Sequence, residues 1–203
     1  EQSQHQYTGP VRLLWEQRWD STGSGDDHAW DAAVSPDASR VYVTGSTRGP
    51  GYEGDYATVA YDATTGSEVW IARHDGPVSN QDPIWRNAVS SDGGTVYVTG
   101  TEGRGSGGGS YATLAYDAAT GAEVWHARYS GLYLGGNTAY GIAVSSDGLT
   151  VFVTGKSFGR NMTNPDLATL AYDAATGEEL WVARYDSPFA STDAAYSIVA
   201  SPD

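Results

Sequence analysis

The stretch Val41–Gly45 reads Val-Tyr-Val-Thr-Gly, and it returns at residues 96–100 and, with Phe in place of Tyr, at residues 151–155. Each copy begins 55 residues after the one before it. Val, Tyr and Thr in such a row are typical of a β-strand, which points successive side chains to opposite faces of a sheet. A strand repeated at a fixed interval of this length indicates a protein built from tandem structural units.

A second motif, Asp-Ala-x-Thr-Gly followed by Trp, supplies turns to the repeat. Its first copy is Asp62–Gly66, and Trp70 follows it. The Asp side chain caps nearby backbone N–H groups and Gly tolerates a positive φ, so the motif predicts a tight turn between two strands. Trp15 lies 55 residues before Trp70 and extends the repeat toward the N-terminus. The later copies are residues 117–121 with Trp125 and residues 173–177 with Trp181.

Each repeat contains four strand-like segments, and none of them has the 3.6-residue period of a helix. Four short antiparallel strands per repeat describe a β-propeller blade, whose faces are buried by stacking against neighbouring blades. The predicted fold is therefore all-β: a β-propeller with about 3.5 four-stranded antiparallel blades, either part of a larger propeller or an edge-paired oligomer. We expect an N-terminal extension at residues 1–10 and a single partial propeller domain at 11–203. Within the propeller, residues 11–20 form the outer strand of a preceding blade, three blades follow at 21–75, 76–130 and 131–186, and residues 187–203 form the first strand of the next blade.

The chain of 203 residues carries a formal net charge of −14, with a sequence pI of about 4.4. This acidity argues against a nucleic acid partner, because phosphate backbones are bound by clusters of Lys and Arg. The absence of Cys excludes disulfides and thiolate chemistry, and no apolar run is long enough for a membrane-spanning helix. The N-terminus shows neither an initiator Met nor a signal peptide, as in a trimmed mature protein. We expect an exported protein that is secreted, periplasmic or on the cell surface.

The segment Ala60–Trp70 resembles the repeat of propellers of the pyrroloquinoline quinone (PQQ) type, which runs roughly Ala-x-Asp-x-x-Thr-Gly-x-x-x-Trp. Residues 35–37, Ser-Pro-Asp, followed by Val41–Gly45 resemble the surface-protein propellers of the Tyr-Val-Thr-Asn (YVTN) type. The resemblance covers nearly the whole chain from Val11 onward and implies a propeller. It also implies that the Trp of the repeat docks adjacent blades. The residues with this structural role are Trp15, Trp70, Trp125 and Trp181.

The resemblance does not carry an activity to this chain. The cofactor-binding and catalytic positions of quinoprotein dehydrogenases lie outside the repeat motif, and none of them is matched here. The four histidines occupy non-equivalent positions of the repeat, and the sequence contains neither Gly-x-Ser-x-Gly nor His-Glu-x-x-His. We therefore predict no catalytic residues and no cofactor, with Ca²⁺ as the one metal ion to consider.

Long loops gather at one face of the predicted propeller, and loops on a rigid scaffold are the usual location of binding residues. Their sequences differ among otherwise near-identical repeats, which marks either ligand specificity or neutral drift in solvated segments. The candidate binding residues on this face are Arg48, Tyr52, Glu53, Arg104, Lys156, Phe158 and Arg160.

One oxygen-bearing side chain also recurs in each repeat, three residues before an aromatic residue of the innermost strand. A ring of such oxygens near the central channel could hold a hard cation such as Ca²⁺. The alternative is that each side chain caps its own inter-blade loop. The candidate metal ligands are Asp27, Asp82, Asn137 and Asp193.

An arginine recurs once per repeat, and an Asp follows it two residues later in three of the four copies. This pattern predicts repeated ion pairing or packing of the arginine stem. The four residues are Arg18, Arg73, Arg128 and Arg184.

These observations favour a non-catalytic, exported β-propeller that acts as a binding or structural scaffold module. Its ligand would be a protein, a glycan or a small molecule, and open blade edges would also allow self-association. Two alternatives stay open from sequence. One is a fragment of a propeller enzyme, either quinone-dependent dehydrogenase-like or polysaccharide-active, and the other is a self-assembling surface protein.

Overall fold

The computed structural model describes residues 12–20, 26–48, 54–76, 84–103, 108–132, 135–159, 164–188 and 191–202. Within these ranges the regular structure is twelve β-strands, which form three four-stranded antiparallel sheets. Strands pair in chain order within each sheet. No helix in the described ranges is long and apolar enough to cross a membrane.

Each sheet is one blade, and the three blades confirm the predicted all-β repeat architecture. Blade 1 contains β1 (His28–Val34), β2 (Arg40–Arg48), β3 (Gly54–Asp62) and β4 (Glu68–His74). Blade 2 contains β5 (Ile84–Val89), β6 (Thr95–Glu102), β7 (Ser110–Asp117) and β8 (Glu123–Tyr129). Blade 3 contains β9 (Thr138–Val144), β10 (Thr150–Phe158), β11 (Pro165–Asp173) and β12 (Glu179–Tyr185).

Residues of the strand motif Val41–Gly45 have distinct structural tasks. Tyr42 is buried in the core between blades 1 and 2, where its hydroxyl donates to the Ala118 carbonyl at 3.4 Å. Thr44 shares a buried 3.3 Å hydrogen bond with Thr58 on β3. The motif therefore joins neighbouring blades through its tyrosine and neighbouring strands through its threonine. The counterparts in blade 2 join Tyr97 to Ala174 and Thr99 to Thr113, both at 3.2 Å.

The glycine that ends the motif permits a β-bulge in the innermost strand. β1 bulges at Trp30, between the ladder positions of Ala29 and Asp31. Ala29 pairs with Gly45, where a Cβ would collide with the backbone carbonyl of His28. Only glycine allows the two strands to approach this closely. The equivalent bulged residues are Trp85 in β5 and Tyr140 in β9.

The Asp62–Gly66 turn is stabilised by its own side chains. The Asp62 carboxylate accepts hydrogen bonds from the backbone N–H groups of Thr65 at 2.9 Å and Thr64 at 3.1 Å. These bonds, that of Thr65 above all, lower the pKa of Asp62 because they favour the charged form. Gly66 completes the turn with a φ of 73°. The equivalent carboxylates, Asp117 and Asp173, make the same contacts in blades 2 and 3.

Blades dock through a tryptophan that reaches the next blade. The Trp70 indole N–H donates to the Ala118 carbonyl at 2.9 Å, and the ring covers Gly121, where a Cβ would lie 2.7 Å from it. Trp15 makes the same contact with blade 1, donating to Ala63 at 2.9 Å. The repeated tryptophan thus closes each described interface at an equivalent point.

The segments at residues 12–20 and 191–202 contain no strand in the described part of the chain. Strand assignment depends on a ladder partner, and the three described sheets contain only the twelve strands given above. Residues 191–202 still contact blade 3, through an Asp193 N–H that donates to the Pro165 carbonyl at 2.8 Å. Strands at 11–20 and 187–203, and the other predicted divisions, stay predictions; residues 1–11 and 21–25 lie outside the described ranges.

Candidate functional site

The repeated bulge places one aromatic side chain of each blade in a row along the innermost strands, and Tyr196 of the following segment continues the row. We call this row the aromatic arc; it consists of Trp30, Trp85, Tyr140 and Tyr196. Successive ring centroids lie 5.3, 5.9 and 5.0 Å apart. Since a bulge re-aims a side chain out of the regular alternation, three bulges at equivalent positions produce a surface that regular strands would not.

The arc is open to solvent at both ends. Trp30 is 44% exposed and Tyr196 is 67% exposed. The Trp30 indole N–H donates to the Ser46 hydroxyl at 3.2 Å, and the His28 ring lies 5.6 Å from the indole. In blade 3 the Lys156 ammonium lies 6.0 Å from the Tyr140 ring centroid, at the outer limit of a cation–π contact. The arc therefore offers π faces and a cation, which suit recognition of apolar, planar or hydrogen-bonding groups.

The structure describes part of the predicted long-loop binding face. Lys156 joins the arc through Tyr140, and the Phe158 backbone N–H donates to the Asn137 side chain at 3.0 Å. Arg48 ends β2, and only its backbone is described. The binding role of this face stays a prediction. The other candidates, Tyr52, Glu53, Arg104 and Arg160, lie outside the described residues.

Asn137, one of the predicted Ca²⁺ ligands, is fully buried and engaged on both sides of its amide. Its Nδ2 donates to the carbonyls of Gly109 and Ser130, both at 2.9 Å. Its Oδ1 accepts from the Ser157 hydroxyl at 2.8 Å and from the Phe158 N–H at 3.0 Å. This set of bonds holds an inter-blade loop together, which favours the capping alternative at Asn137.

Asp193 also caps its own loop, because its carboxylate accepts the Ser187 N–H at 2.8 Å. Asp27 directly precedes β1, and Asp82 lies outside the described residues. The contacts at Asn137 and Asp193 support local capping, and Ca²⁺ binding by the four positions stays a prediction.

The repeated arginines each have a different partner. Arg184 donates to the Asp166 carboxylate at 2.7 Å and to the Ser157 carbonyl at 2.7 Å, within a largely buried network. The observed partners of these arginines are residues other than the Asp two positions downstream. The other pairs are Arg18 with Glu16 at 3.0 Å, Arg73 with the Trp19 ring at 5.1 Å, and Arg128 with Glu102.

Sequence reasoning missed a cluster of His74, Glu102 and His126 between blades 1 and 2. The Nε2 atoms of both histidines lie 3.1 Å from Glu102 Oε2, and Arg128 contacts Glu102 Oε1. The Glu102 side chain is fully buried. Burial alone would raise the pKa of Glu102, but hydrogen bonds from His126 and His74 and the charges of His126 and Arg128 lower it to about 2.

The sequence contained a signal for this cluster, since the other repeats have neither His nor Glu at the positions equivalent to His74 and Glu102, and no His at the position equivalent to His126. His74 and Glu102 are nevertheless 28 residues apart in the chain. Their contact depends on how one blade packs on the next, which the repeat alone does not specify.

The sequence matches the family model described as "Outer membrane protein assembly factor BamB" over residues 11–151 and again over residues 110–201. A search of curated proteins returned no match. Among solved structures, the WD40 repeats of RRP9 superpose with a TM-score of 0.59 at 13% identity, covering 93% of this chain and 44% of that one. The Cps50 (Swd1) β-propeller domain of Myceliophteria thermophila superposes with a TM-score of 0.54 at 10% identity, covering 87% of this chain and 48% of that one.

BamB from Moraxella catarrhalis has a TM-score of 0.47 at 18% identity, with 77% of this chain and 37% of that one covered. The chain thus spans less than half the length of each of these structures. At such identities the structural likeness shows the propeller fold alone. The family model, in contrast, matches nearly the whole chain and agrees with the PQQ-type repeat of residues 60–70. The chain therefore belongs to the PQQ-like β-propeller repeat family that this model describes.

Proposed function

We propose that this protein is a non-catalytic, exported scaffold module that binds a protein partner through the aromatic arc. The observation that carries the proposal is the arc itself: four rings in contact across three blades and the following segment, with Trp30 44% and Tyr196 67% exposed. Aromatic side chains are enriched in protein interfaces and in their energetic hot spots.

The chemistry of the arc supports binding. It presents aromatic faces and the Lys156 ammonium, and its first three rings lie on paired strands. Rigid aromatic groups lose little conformational entropy when a partner covers them. The net charge of −14 favours a neutral or cationic partner, since an acidic surface repels polyanions.

The family relationship supports an envelope location and a protein ligand. The matching family model is described as an outer membrane protein assembly factor. From that description we infer that this protein is located outside the cytoplasm and takes part in contacts between proteins. The identity of the partner is left to experiment.

A second candidate is self-assembly through the outer face of blade 3. This face exposes Trp181 (45%) and Tyr185 (59%), and the Trp181 ring packs on Phe152 of the same blade. In blades 1 and 2 the equivalent face is covered by the next blade. A further blade or a second copy of the chain would bury it in the same way.

Site-specific photocrosslinking tests the proposal. A photoreactive phenylalanine analogue replaces Trp30 or Tyr196 in the arc, and Leu149 is the matched control. Leu149 is 67% exposed but precedes β10, at the end of the strand opposite Lys156. We expect one protein adduct from envelope fractions at both arc positions, and loss of at least nine-tenths of that adduct when the other arc residue is changed to Ala.

Three results would overturn the proposal. Equal crosslinking from Leu149 would show that the adduct does not report the arc. A solution mass that is a multiple of 21.4 kDa, lost on Trp181→Ala, would favour self-assembly. Dye reduction after addition of pyrroloquinoline quinone and Ca²⁺ would favour the enzyme alternative.

A further inference from the structure

The cluster of His74, Glu102 and His126 lies in the interface between blades 1 and 2. His74 ends β4 of blade 1, Glu102 ends β6 of blade 2, and His126 lies in β8 of blade 2. His126 pairs with Leu114, which belongs to the core shared by the two blades. The three side chains are therefore brought together only by docking of blade 1 on blade 2.

The next interface shows that such a cluster is not needed for docking. Between blades 2 and 3 the equivalent positions, one repeat further on, are Tyr129, Ser157 and Val182. There Arg184 donates to the Tyr129 hydroxyl at 2.8 Å and to the Ser157 hydroxyl at 2.9 Å. The second interface thus has neutral side chains at all three of these positions, while the first interface buries a carboxylate there, at a desolvation cost, between two imidazoles.

Two donor–donor distances in the cluster are close to those of a tetrahedral metal site. Each histidine Nε2 lies 3.1 Å from Glu102 Oε2, and the donor atoms of the three residues all lie within 4.8 Å of one another. In a tetrahedral Zn²⁺ site with bonds of about 2.0–2.1 Å, neighbouring donor atoms are about 3.3 Å apart. Small side-chain adjustments would allow all three atoms to reach one ion.

The surrounding groups would orient these donors. Arg128 contacts Glu102 Oε1, which leaves Oε2 directed at the histidines. Glu123 lies on the other side of the His74 ring, 3.7 Å from Nδ1. Carboxylates behind a ligating imidazole, and hydrogen-bond donors on a ligating carboxylate, are the usual outer partners of metal ligands.

We propose that His74 Nε2, Glu102 Oε2 and His126 Nε2 bind a transition-metal ion of the Zn²⁺ class, which joins blade 1 to blade 2. Two imidazoles and one carboxylate suit Zn²⁺, and also Cu²⁺ and Ni²⁺. Ca²⁺ is disfavoured here because it takes six to eight oxygen ligands. The His126 side chain is 23% exposed, so water can reach the fourth coordination position.

Metal titration of the full chain tests the proposal. Calorimetry with Zn²⁺ measures affinity and stoichiometry, and the visible absorption of Co²⁺ reports tetrahedral coordination. We expect one ion per chain at this site, and a Zn²⁺-dependent rise in the melting temperature, because the unfolded chain separates ligands from two blades. Ca²⁺ at the same concentration should produce neither change at this site.

The matched variant is the triple substitution H74Y/E102S/H126V, which installs the residues of the second interface in the first. It should fold, lose at least tenfold in Zn²⁺ affinity and lose the Co²⁺ spectrum. His28→Asn, outside the cluster, controls for incidental binding by a surface histidine. It should leave the Zn²⁺ affinity and the Co²⁺ spectrum unchanged.

The single substitution His126→Val keeps the test decisive if the triple variant does not fold. It should weaken Zn²⁺ binding by at least tenfold while His28→Asn does not. Absence of Zn²⁺ binding by the unmodified chain, or affinity unchanged in folded His126→Val, would overturn the proposal. Either result would leave the proposed function of the aromatic arc standing, since the two sites share no residue.

Discussion

The Trp125 indole N–H donates a 3.0 Å hydrogen bond to the Ala174 backbone carbonyl in the next blade. The ring also covers Gly177, whose φ of 72° suits glycine and where a Cβ would lie 2.7 Å from the indole. One side chain thus combines burial, a hydrogen bond to another blade and close contact with a turn. Trp181 occupies the same repeat position but is 45% exposed, and it has no indole hydrogen bond within the described residues.

Trp125→Ala is therefore expected to destabilise the fold by about 3–5 kcal/mol, because it leaves a cavity between blades and removes the indole hydrogen bond to the next blade. Trp181→Ala should cost only about 1–1.5 kcal/mol, since less apolar area leaves water on folding. The free energy of unfolding from urea titrations checks both values. Equal losses at the two positions would contradict the docking role.

Gly45→Ala should destabilise the chain by about 3 kcal/mol, because its Cβ would collide with the backbone carbonyl of His28 and no side-chain rotation relieves that contact. Gly136→Ala is the control: its Cβ would lie 3.6 Å from the Phe158 ring, an ordinary contact. That substitution should leave the free energy of unfolding within about 0.5 kcal/mol of the value for the unmodified chain. Tolerance of Gly45→Ala would mean that the bulge at Trp30 does not depend on close strand approach.

Arg184→Ala should cost about 3 kcal/mol, because it leaves the largely buried Asp166 carboxylate without its partner. Arg18 has the same repeat position, but its side chain is 90% exposed beside Glu16. Arg18→Ala should change the free energy of unfolding by less than about 0.5 kcal/mol. Thermal and urea unfolding of the two variants give the comparison, and a similar loss in both would show that the repeat position matters more than the environment.

Acid should destabilise the fold through the aspartates of the short turns. The Ser35 hydroxyl, followed by the Ser39 N–H, lowers the pKa of Asp37 to about 2. A carboxyl group with a lowered folded-state pKa stabilises the fold above its unfolded pKa, about 3.9, and loses that contribution as pH falls toward the folded value. Hydrogen bonds in the turns also lower the pKa values of Asp62, Asp92, Asp117, Asp147 and Asp173.

The melting temperature should therefore be nearly constant from pH 6 to about pH 4.5 and fall steadily between pH 4 and pH 2. Asp37→Asn should lower the melting temperature at pH 6 and reduce the fall at low pH, because one titrating group has been removed. Calorimetry across this range measures both effects. A melting temperature that rises on acidification would contradict the sign of these shifts.

Local chemistry made the blades predictable. The alternation in Val41–Gly45 belongs to one strand, and the Asp62 carboxylate caps N–H groups two and three residues further along the chain. Such interactions are complete within a few residues, so their pattern is visible in the chain. Trp70 recurs at one place in the repeat, and the resemblance to PQQ-type propellers implied its role in blade docking.

The candidate sites were less accessible from sequence. The direction of the Trp30 indole depends on the β-bulge of β1, which in turn depends on Gly45 in the opposite strand. The capping bonds of Asn137 join residues up to 28 positions apart. These distant partners decide whether such a side chain caps a loop or is available to bind Ca²⁺.

What the amino-acid sequence determined alone was the repeating unit: four strands, their turns and a tryptophan at a fixed place in each unit. Tertiary structure decided which side chains of different units meet, as with His74 and Glu102 across the first interface. The physical reason is the distance along the chain over which each interaction acts. Strand periodicity and turn capping act between near neighbours in the chain, whereas a binding surface is assembled from residues that only blade packing brings within a few ångströms.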